Sequence, residues 1–348
     1  MSDKRYLGNI ITDTPTAPAG PYEDGAASGV WSLAEAFAYT KAGLWPIAGN
    51  AAPTPAFFSG GGNFLNTIQT IQIASTGNAT DFGDLTYSAN GPASCGSSTH
   101  GFAASGQGAG NAYFNTINTF STSSGGEDAS DFGDLTQGRY EAAGLSNNTR
   151  GVFAAGWYYS GGFIFTNIMD YITLSTSGNA ADFGDIVQSN GNGLAACSST
   201  TRGIYAGNNQ SSKNVIQYIT IASTGNATDF GDLLEDISRM GGCSSPTRGM
   251  FGGGQDIGGR SNRIQYVTIA SLGNSVDFGD LTVTTYFNAS ASTHSRAVWA
   301  GGDTGAGNTN TIDYVEISTT GNATDFGDLV TATSSFSGCS SSHGGIAA

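Results

Sequence analysis

The chain has 348 residues, 53 of them glycine; only 11% are charged, yet it holds 19 Phe and 14 Tyr. This composition excludes a disordered chain, and many short apolar runs between Gly-rich turns point to an all-β fold. The net charge of −15 repels phosphate backbones and anionic lipid, so neither nucleic-acid binding nor membrane insertion is expected. No apolar run approaches the length of a spanning helix.

Residues 1–45 read differently from the rest. Tyr6 to Thr12 has the pattern of one extended strand, and Pro15, Pro18 and Pro21 suit an extended linker. The opening residues are not followed by the apolar run of a secretory signal. A helix is predicted from about Ser32, with Ser32 as N-cap and Glu35 completing a capping box. Trp45-Pro46 closes it.

From Pro46 onward the chain is a repeat. Asp229-Phe230-Gly231-Asp232-Leu233 recurs at Asp81, Asp131, Asp182, Asp277 and Asp325, at intervals of 50, 51, 47, 48 and 48 residues. Twelve of the 27 acidic residues belong to these motifs, so the acidity is built into the repeat. Each unit reads as four short strands. Strand a is small and polar, as in Gly242 to Ser245. Strand b is apolar and ends in glycine, as in Gly203 to Gly207. Strand c, Ile216 to Ile221, is apolar on both faces and should be buried between layers. Strand d carries the Asp-Phe-Gly-Asp-Leu motif. Gly225-Asn226 and its copies supply the positive φ of the c–d turn.

Six copies of c and d are present. Strands a and b count seven, with Gly49 to Pro55 as an early copy of a and Gly345 to Ala348 as a late copy of b. Four-stranded units of this length predict a β-propeller. Seven blades are expected, the last formed by residues 333–348 and closed by the strand near Tyr6 to Thr12; six blades are the alternative.

The unit resembles the kelch repeat, in the Gly pairs that end strand b (Gly252-Gly253, Gly301-Gly302), the central Tyr of strand c (Tyr171, Tyr218, Tyr266, Tyr314) and the aromatic that opens strand d, here Phe. The head, with Tyr6-Leu7-Gly8-Asn9, Ser28 to Leu33 and Ala42 to Pro46, is similar to N-terminal segments of tailed-bacteriophage virion proteins, those of marine and cyanobacterial phages in particular. The repeat from Ser75 to Leu85 also looks like repeats in such proteins. That resemblance implies a virion structural protein of tail-fibre or particle-surface type, made in the host cytoplasm. Residues 1–45 would bind other virion proteins, as a homo-oligomer. The propeller would face a host surface glycan or receptor. A free, lectin-like glycan-binding propeller is the alternative.

Candidate chemistry is sparse. Asp-Phe-Gly also occurs in protein kinases, but six copies without a phosphate-binding loop read as structure. There the first Asp is expected to cap a turn, Phe to pack between blades, and Gly to accept a strained backbone angle. Asp229 and Asp232, with Asn226, are the one candidate calcium set; they lack the dense alternating carboxylates of calcium loops. His100, His294 and His343 fall in separate a–b turns and are expected to be exposed. No catalytic set stands out, so a non-enzymatic protein without cofactor is expected. Cys95, Cys197, Cys243 and Cys339 occupy equivalent places in different units, too far apart for disulfides, and should be buried free thiols. The best candidate binding residues are Trp157, Tyr158 and Tyr159 in a variable b–c loop, and Arg202 and Arg248 of the Thr-Arg-Gly turns, expected together on a loop face.

Overall fold

The computed structural model describes residues 33–41, 54–123, 125–187, 191–209 and 214–346. The chain divides into two units, Met1–Pro53 and Thr54–Ala348. In the first, one helix is described, α1 at Leu33–Lys41. The expected strand near Tyr6 to Thr12 and the capping residue Ser32 lie outside the described residues.

The second unit is a β-propeller of six four-stranded antiparallel blades, not seven. Blade 2 comprises strands a to d at Ala93–Gly96, His100–Ala104, Thr116–Ser121 and Ser130–Asp134. Blade 3 has Ala143–Ser146, Arg150–Ala154, Ile168–Thr173 and Ala181–Asp185. Blade 4 has Ala195–Ser198, Arg202–Ala206, Val215–Thr220 and Thr228–Asp232. Blade 5 has Gly241–Ser244, Arg248–Gly252, Arg263–Thr268 and Val276–Asp280. Blade 6 has Ala289–Ser292, Arg296–Ala300, Thr311–Glu316 and Thr324–Asp328. Blade 1 takes strands b, c and d from Pro55–Ser59, Thr67–Gln72 and Thr80–Asp84, and strand a from the far end of the chain, Ser337–Ser340.

This closure corrects the count of seven. Ser337–Ser340 pairs with Pro55–Ser59, so the seventh copy of strand a completes the first blade instead of opening another. Of the strand b expected at residues 345–348, the described residues Gly345 and Ile346 form no strand. Gly344 donates its amide to the Ser244 carbonyl of blade 5, and the Ile346 amide bonds His343. A side chain on Gly345 would collide with the Ser146 carbonyl. The Gly-Gly-Ile pattern that mimics a strand therefore serves close packing against the inner strands.

The repeated motif is the seam between blades. In every blade the c–d pairing shifts register within the motif, as between Ile216 and Gln217, which leaves Phe230 as the extra residue of a bulge. Phe230 is buried with Phe251, Val267 and Ile269 of the next blade, a burial that contributes roughly 2–3 kcal/mol per blade. The next blade's turn then pairs with the motif. Gly273 and Ser275 donate amides to the carbonyls of Phe230 and Asp232. Gly231 has φ +150°, and a Cβ there would lie 2.5 Å from the Gly273 carbonyl oxygen. Glycine is required for this backbone approach as much as for its dihedral. The first Asp does not provide the cap. The turn Asn does, from the following blade: Asn274 Oδ1 accepts the Asp232 amide at 3.0 Å, and Asp128 plays this part toward Asp84.

A second seam repeats one layer further in. The third residue of strand c carries a buried amide or carboxylate in all six blades. Gln217 Oε1 accepts the Val187 amide at 2.6 Å, Gln265 Oε1 that of Leu234 at 3.0 Å, and Gln69 Oε1 that of Val330 at 2.7 Å. The last of these closes the ring. In blade 3 this residue is Asp170, and it forms an ion pair with Arg139 at 2.8 Å, both side chains being fully buried. Burial pulls Arg139 down, and Asp170 opposes that.

Around the axis, hydroxyls from the inner strands bond the carbonyl of the blade before: Ser146 to Gly96, Ser198 to Ser146, Ser244 to Ser198, Ser292 to Ser244 and Ser340 to Ser292. The sixth place is Gly96, which has no hydroxyl. His343 lies at the link beside that break, with Nε2 3.2 Å from Ser146 Oγ and 3.3 Å from the Gly96 carbonyl. The expectation of three exposed histidines is thus corrected: His100 is exposed, but His294 and His343 are half-buried, and desolvation pulls His343 down to about 4. The four cysteines are buried and unpaired, and burial pushes Cys339 up to about 12.

Candidate functional site: the loop face and its axial mouth

Adjacent strands are antiparallel, so the d–a and b–c loops gather on one face of the ring, here the loop face. The a–b and c–d turns gather on the other, the turn face. Trp157, Tyr158 and Tyr159 follow strand b of blade 3 and lie on the loop face. Arg202 and Arg248 open strand b of blades 4 and 5 and lie on the turn face. The structure therefore does not bring these two candidate groups together.

The arginines are committed to the fold. Arg202 stacks over the Tyr218 ring at 4.5 Å and donates Nη1 to the Ile269 carbonyl of the next blade at 2.6 Å. Arg248 does the same over Tyr266, at 4.7 Å, and to Ile317, at 2.6 Å. Charge-assisted bonds to a carbonyl, under a ring that covers the cation, are a seam rather than an offered surface.

The aromatic loop is a short hairpin, Trp157–Tyr159 paired with Phe163–Phe165. Trp157 is half-buried and anchors it. Its ring meets Tyr140 edge-on at 5.1 Å and Phe163 at 5.2 Å. What the hairpin shows to solvent is Tyr159, 48% exposed, and Phe163, 66% exposed, with Ile164 beside them. Phe163 escaped the sequence reading because nothing in the loop marks which side of the hairpin faces out.

Next to this hairpin is the axial mouth, which the sequence reading missed. Each d–a loop places one residue in left-handed conformation there: Gly91, Glu141, Gly193, Arg239, Phe287 and Ser335, with φ between 52° and 65°. Backbone bonds link neighbouring blades at this level, such as Arg239 to Gly193 at 2.7 Å and Phe287 to Arg239 at 2.9 Å. Glycine fills two of the six places. Four side chains adopt the conformation at a cost of about 1 kcal/mol each. Two of those four carry charge. Glu141 Oε1 meets Arg239 Nη2 at 3.4 Å across Gly193, with side chains 4% and 18% exposed. Asn192 donates to Glu141 Oε2 at 2.8 Å, and Trp157 also bonds that carboxyl. Arg239 donates to Gln255 at 3.0 Å and lies over Phe287 at 4.5 Å. Burial pushes the Glu141 carboxyl up, and Arg239 opposes it. A cavity of about 80 Å³ opens here, lined by Glu141, Arg239, Phe287, Asn288 and Ser335. Arg239 Nε and Asn288 Oδ1 are buried with no hydrogen-bond partner among the described residues. A buried donor and acceptor left unused, beside an ion pair, can hold a small polar ligand. The signal was present in the sequence: aligned copies put Glu141 and Arg239 where two others have glycine.

Asp229 and Asp232 are separated by the bulge of strand d, and Asn226 is bonded to the Asp185 amide of the preceding blade at 3.0 Å. The oxygen that would complete the calcium set is thus occupied. Among the described residues no group of three or more His, Cys, Asp or Glu converges on one point. The contact of Ser146 with His343 is not a nucleophile pair, because the hydroxyl donates to the Gly96 carbonyl and Ser146 is buried inside the ring.

No protein-family profile matches the chain, and no curated protein does. Among solved structures it is similar to that of YjhT, at 8% identity, with 72% of this chain and 87% of that chain covered and a TM-score of 0.58. Likeness at this identity concerns the fold, and with the six-bladed topology described above it places the chain among β-propeller structures.

Proposed function

We propose that this chain is a non-enzymatic recognition module of a bacteriophage particle, of tail-fibre or surface type. Residues 1–45 attach it to other virion proteins, and the loop face binds a host receptor or protein. The observation that carries the binding half is where the repeat is broken. The seams use the same residue types blade after blade. On the loop face, blade 3 builds an exposed aromatic hairpin, and two d–a loops set a charged pair over Gly193. Exposed aromatics beside a polar mouth are what a recognition surface requires. The attachment half is supported by the likeness of the head segment to phage virion proteins.

Two measurements test it. Immunogold labelling of purified particles with an antibody to the chain is expected to mark a fixed place; protein found solely in the soluble fraction overturns attachment. Fluorescently labelled full-length protein is expected to bind host cells, and Phe163→Ser with Tyr159→Ser to weaken that binding at least tenfold. A second reading, a free lectin-like propeller, is favoured by the unused donor and acceptor at the axial mouth. Saturable binding on a glycan array, lost in Glu141→Gln, together with absence from particles, selects it.

A further inference from the structure

Blades 3 to 6 share a pattern on the turn face that blade 2 breaks. In each of the four, the first residue of strand b is Arg, the fourth residue of strand c is Tyr, and the guanidinium lies 4.5–4.7 Å from the ring centre. In each, Nη1 donates to the carbonyl just after strand c of the following blade: Arg150 to Ile221, Arg202 to Ile269, Arg248 to Ile317 and Arg296 to Ile73. The fold thus contains four copies of a guanidinium receptor, each filled by the chain itself.

In blade 2 the arginine is replaced by His100 and the tyrosine by Thr119. The carbonyl in the acceptor's place, on Leu174 of blade 3, has no arginine of its own. The two shorter side chains leave a cavity of about 380 Å³ between blades 2 and 3. Its lining includes His100, Thr119, Phe132, Leu174, Ser97 and Ser177. Phe132 is the counterpart of Phe230, whose ring centre lies 5.9 Å from the Arg202 guanidinium. Blade 1 has Pro55 and Thr70 in the same places, so blade 2 is the one blade in which this a–b turn is intact and the cation is missing.

We propose that this cavity is a receptor for an arginine side chain presented by a partner protein. The guanidinium would take the position that Arg150, Arg202, Arg248 and Arg296 take in their own blades, donating to the Leu174 carbonyl and covering Phe132. Planar donors in a fixed fork suit this geometry, and an ammonium does not reproduce it. The net charge of −15 favours approach of a cationic partner. No carboxylate lines the cavity, so a single side chain binds weakly, and useful affinity comes from the rest of the partner's surface. The site is on the face opposite the proposed recognition surface and does not depend on that reading.

The test is NMR titration of the isotope-labelled full-length chain with N-acetyl-arginine amide, with N-acetyl-lysine amide in parallel. Saturable shifts at the amides of Thr119, Leu174 and Ser177, at least fivefold tighter for arginine than for lysine, are expected. His100→Arg with Thr119→Tyr restores the pair used by four other blades and is expected to fold and to abolish those shifts. His100→Arg alone covers the same carbonyl and is expected to do likewise. The proposal is overturned by equal binding of lysine, by binding that survives in either folded variant, or by shifts that do not saturate. Should both variants fail to fold, the arginine–lysine comparison and the location of the shifts still decide it.

Discussion

Asn226 Oδ1 accepts the amide of Asp185, 3.0 Å away in the preceding blade. The same bond joins five other pairs of blades, with Asp128 in place of Asn in one of them. The motif that dominates the sequence is therefore read by its neighbour's turn.

The glycines of this seam are expected to separate into two classes. Gly231→Ala drives a Cβ against the Gly273 carbonyl, and a loss of about 3 kcal/mol or more is expected. Gly225 also has positive φ, +153°, but nothing lies within 4 Å of its would-be Cβ. Gly225→Ala should cost only about 1 kcal/mol, from its dihedral. Urea denaturation of the two variants measures the difference.

The buried pair Arg139–Asp170 can be compared with the protein's own alternative. Blade 5 has Ile237 and Gln265 in these places. Removing one partner, as in Arg139→Ile, strands a buried carboxylate and is expected to cost about 3–5 kcal/mol. Arg139→Ile with Asp170→Gln copies blade 5 and should recover most of that loss. A double-mutant cycle by chemical denaturation gives the coupling; additive single effects would show that the pair acts independently.

His343 makes stability depend on pH. Its ring is held at about 4 in the folded chain, against an ordinary value of 6.5. The unfolded chain therefore binds the extra proton first as pH falls. The stabilisation is fully present above 6.5 and is lost as pH drops toward 4, by up to about 3 kcal/mol. Many carboxylates titrate in the same range, and raised Glu141 acts with the opposite sign, so the quantity to read is the difference between wild type and His343→Asn. Their melting temperatures should differ at pH 7.5 and converge by pH 4.5.

Arg202→Lys tests whether the turn-face arginines are seams. Lysine keeps the charge but loses the fork and the flat stack over Tyr218, and about 1–2 kcal/mol of stability is expected to go. Binding of the full-length chain to cells should be unchanged in this variant once it is folded, because the residue lies on the turn face.

What the sequence made legible was whatever repeats. Strands a to d, the packing of the motif's Phe between blades and the buried thiols all follow from aligned copies. Blade number was not legible in this way, because Ser337–Ser340 and Gly49 to Pro55 look equally like strand a, and pairing with Pro55–Ser59 is a long-range choice. The loop face was legible only as variable. That Arg202 and Trp157 stand at opposite ends of their strands follows from counting strands between them; that Glu141 reaches Arg239 does not, because it takes two loops and the glycine between them to make the contact.

The partnership of Ser59 with Ser337, 278 positions later, sets an order of events for synthesis. On the ribosome, blades 2 to 6 can zip up locally as they emerge, but the first blade waits with one flank bare until residue 340 has been made. During that interval the nascent ring has two open ends, each able to add a strand from another chain. Loss of only the last dozen residues would leave it in that state permanently, and would harm the protein more than loss of any loop of the same length.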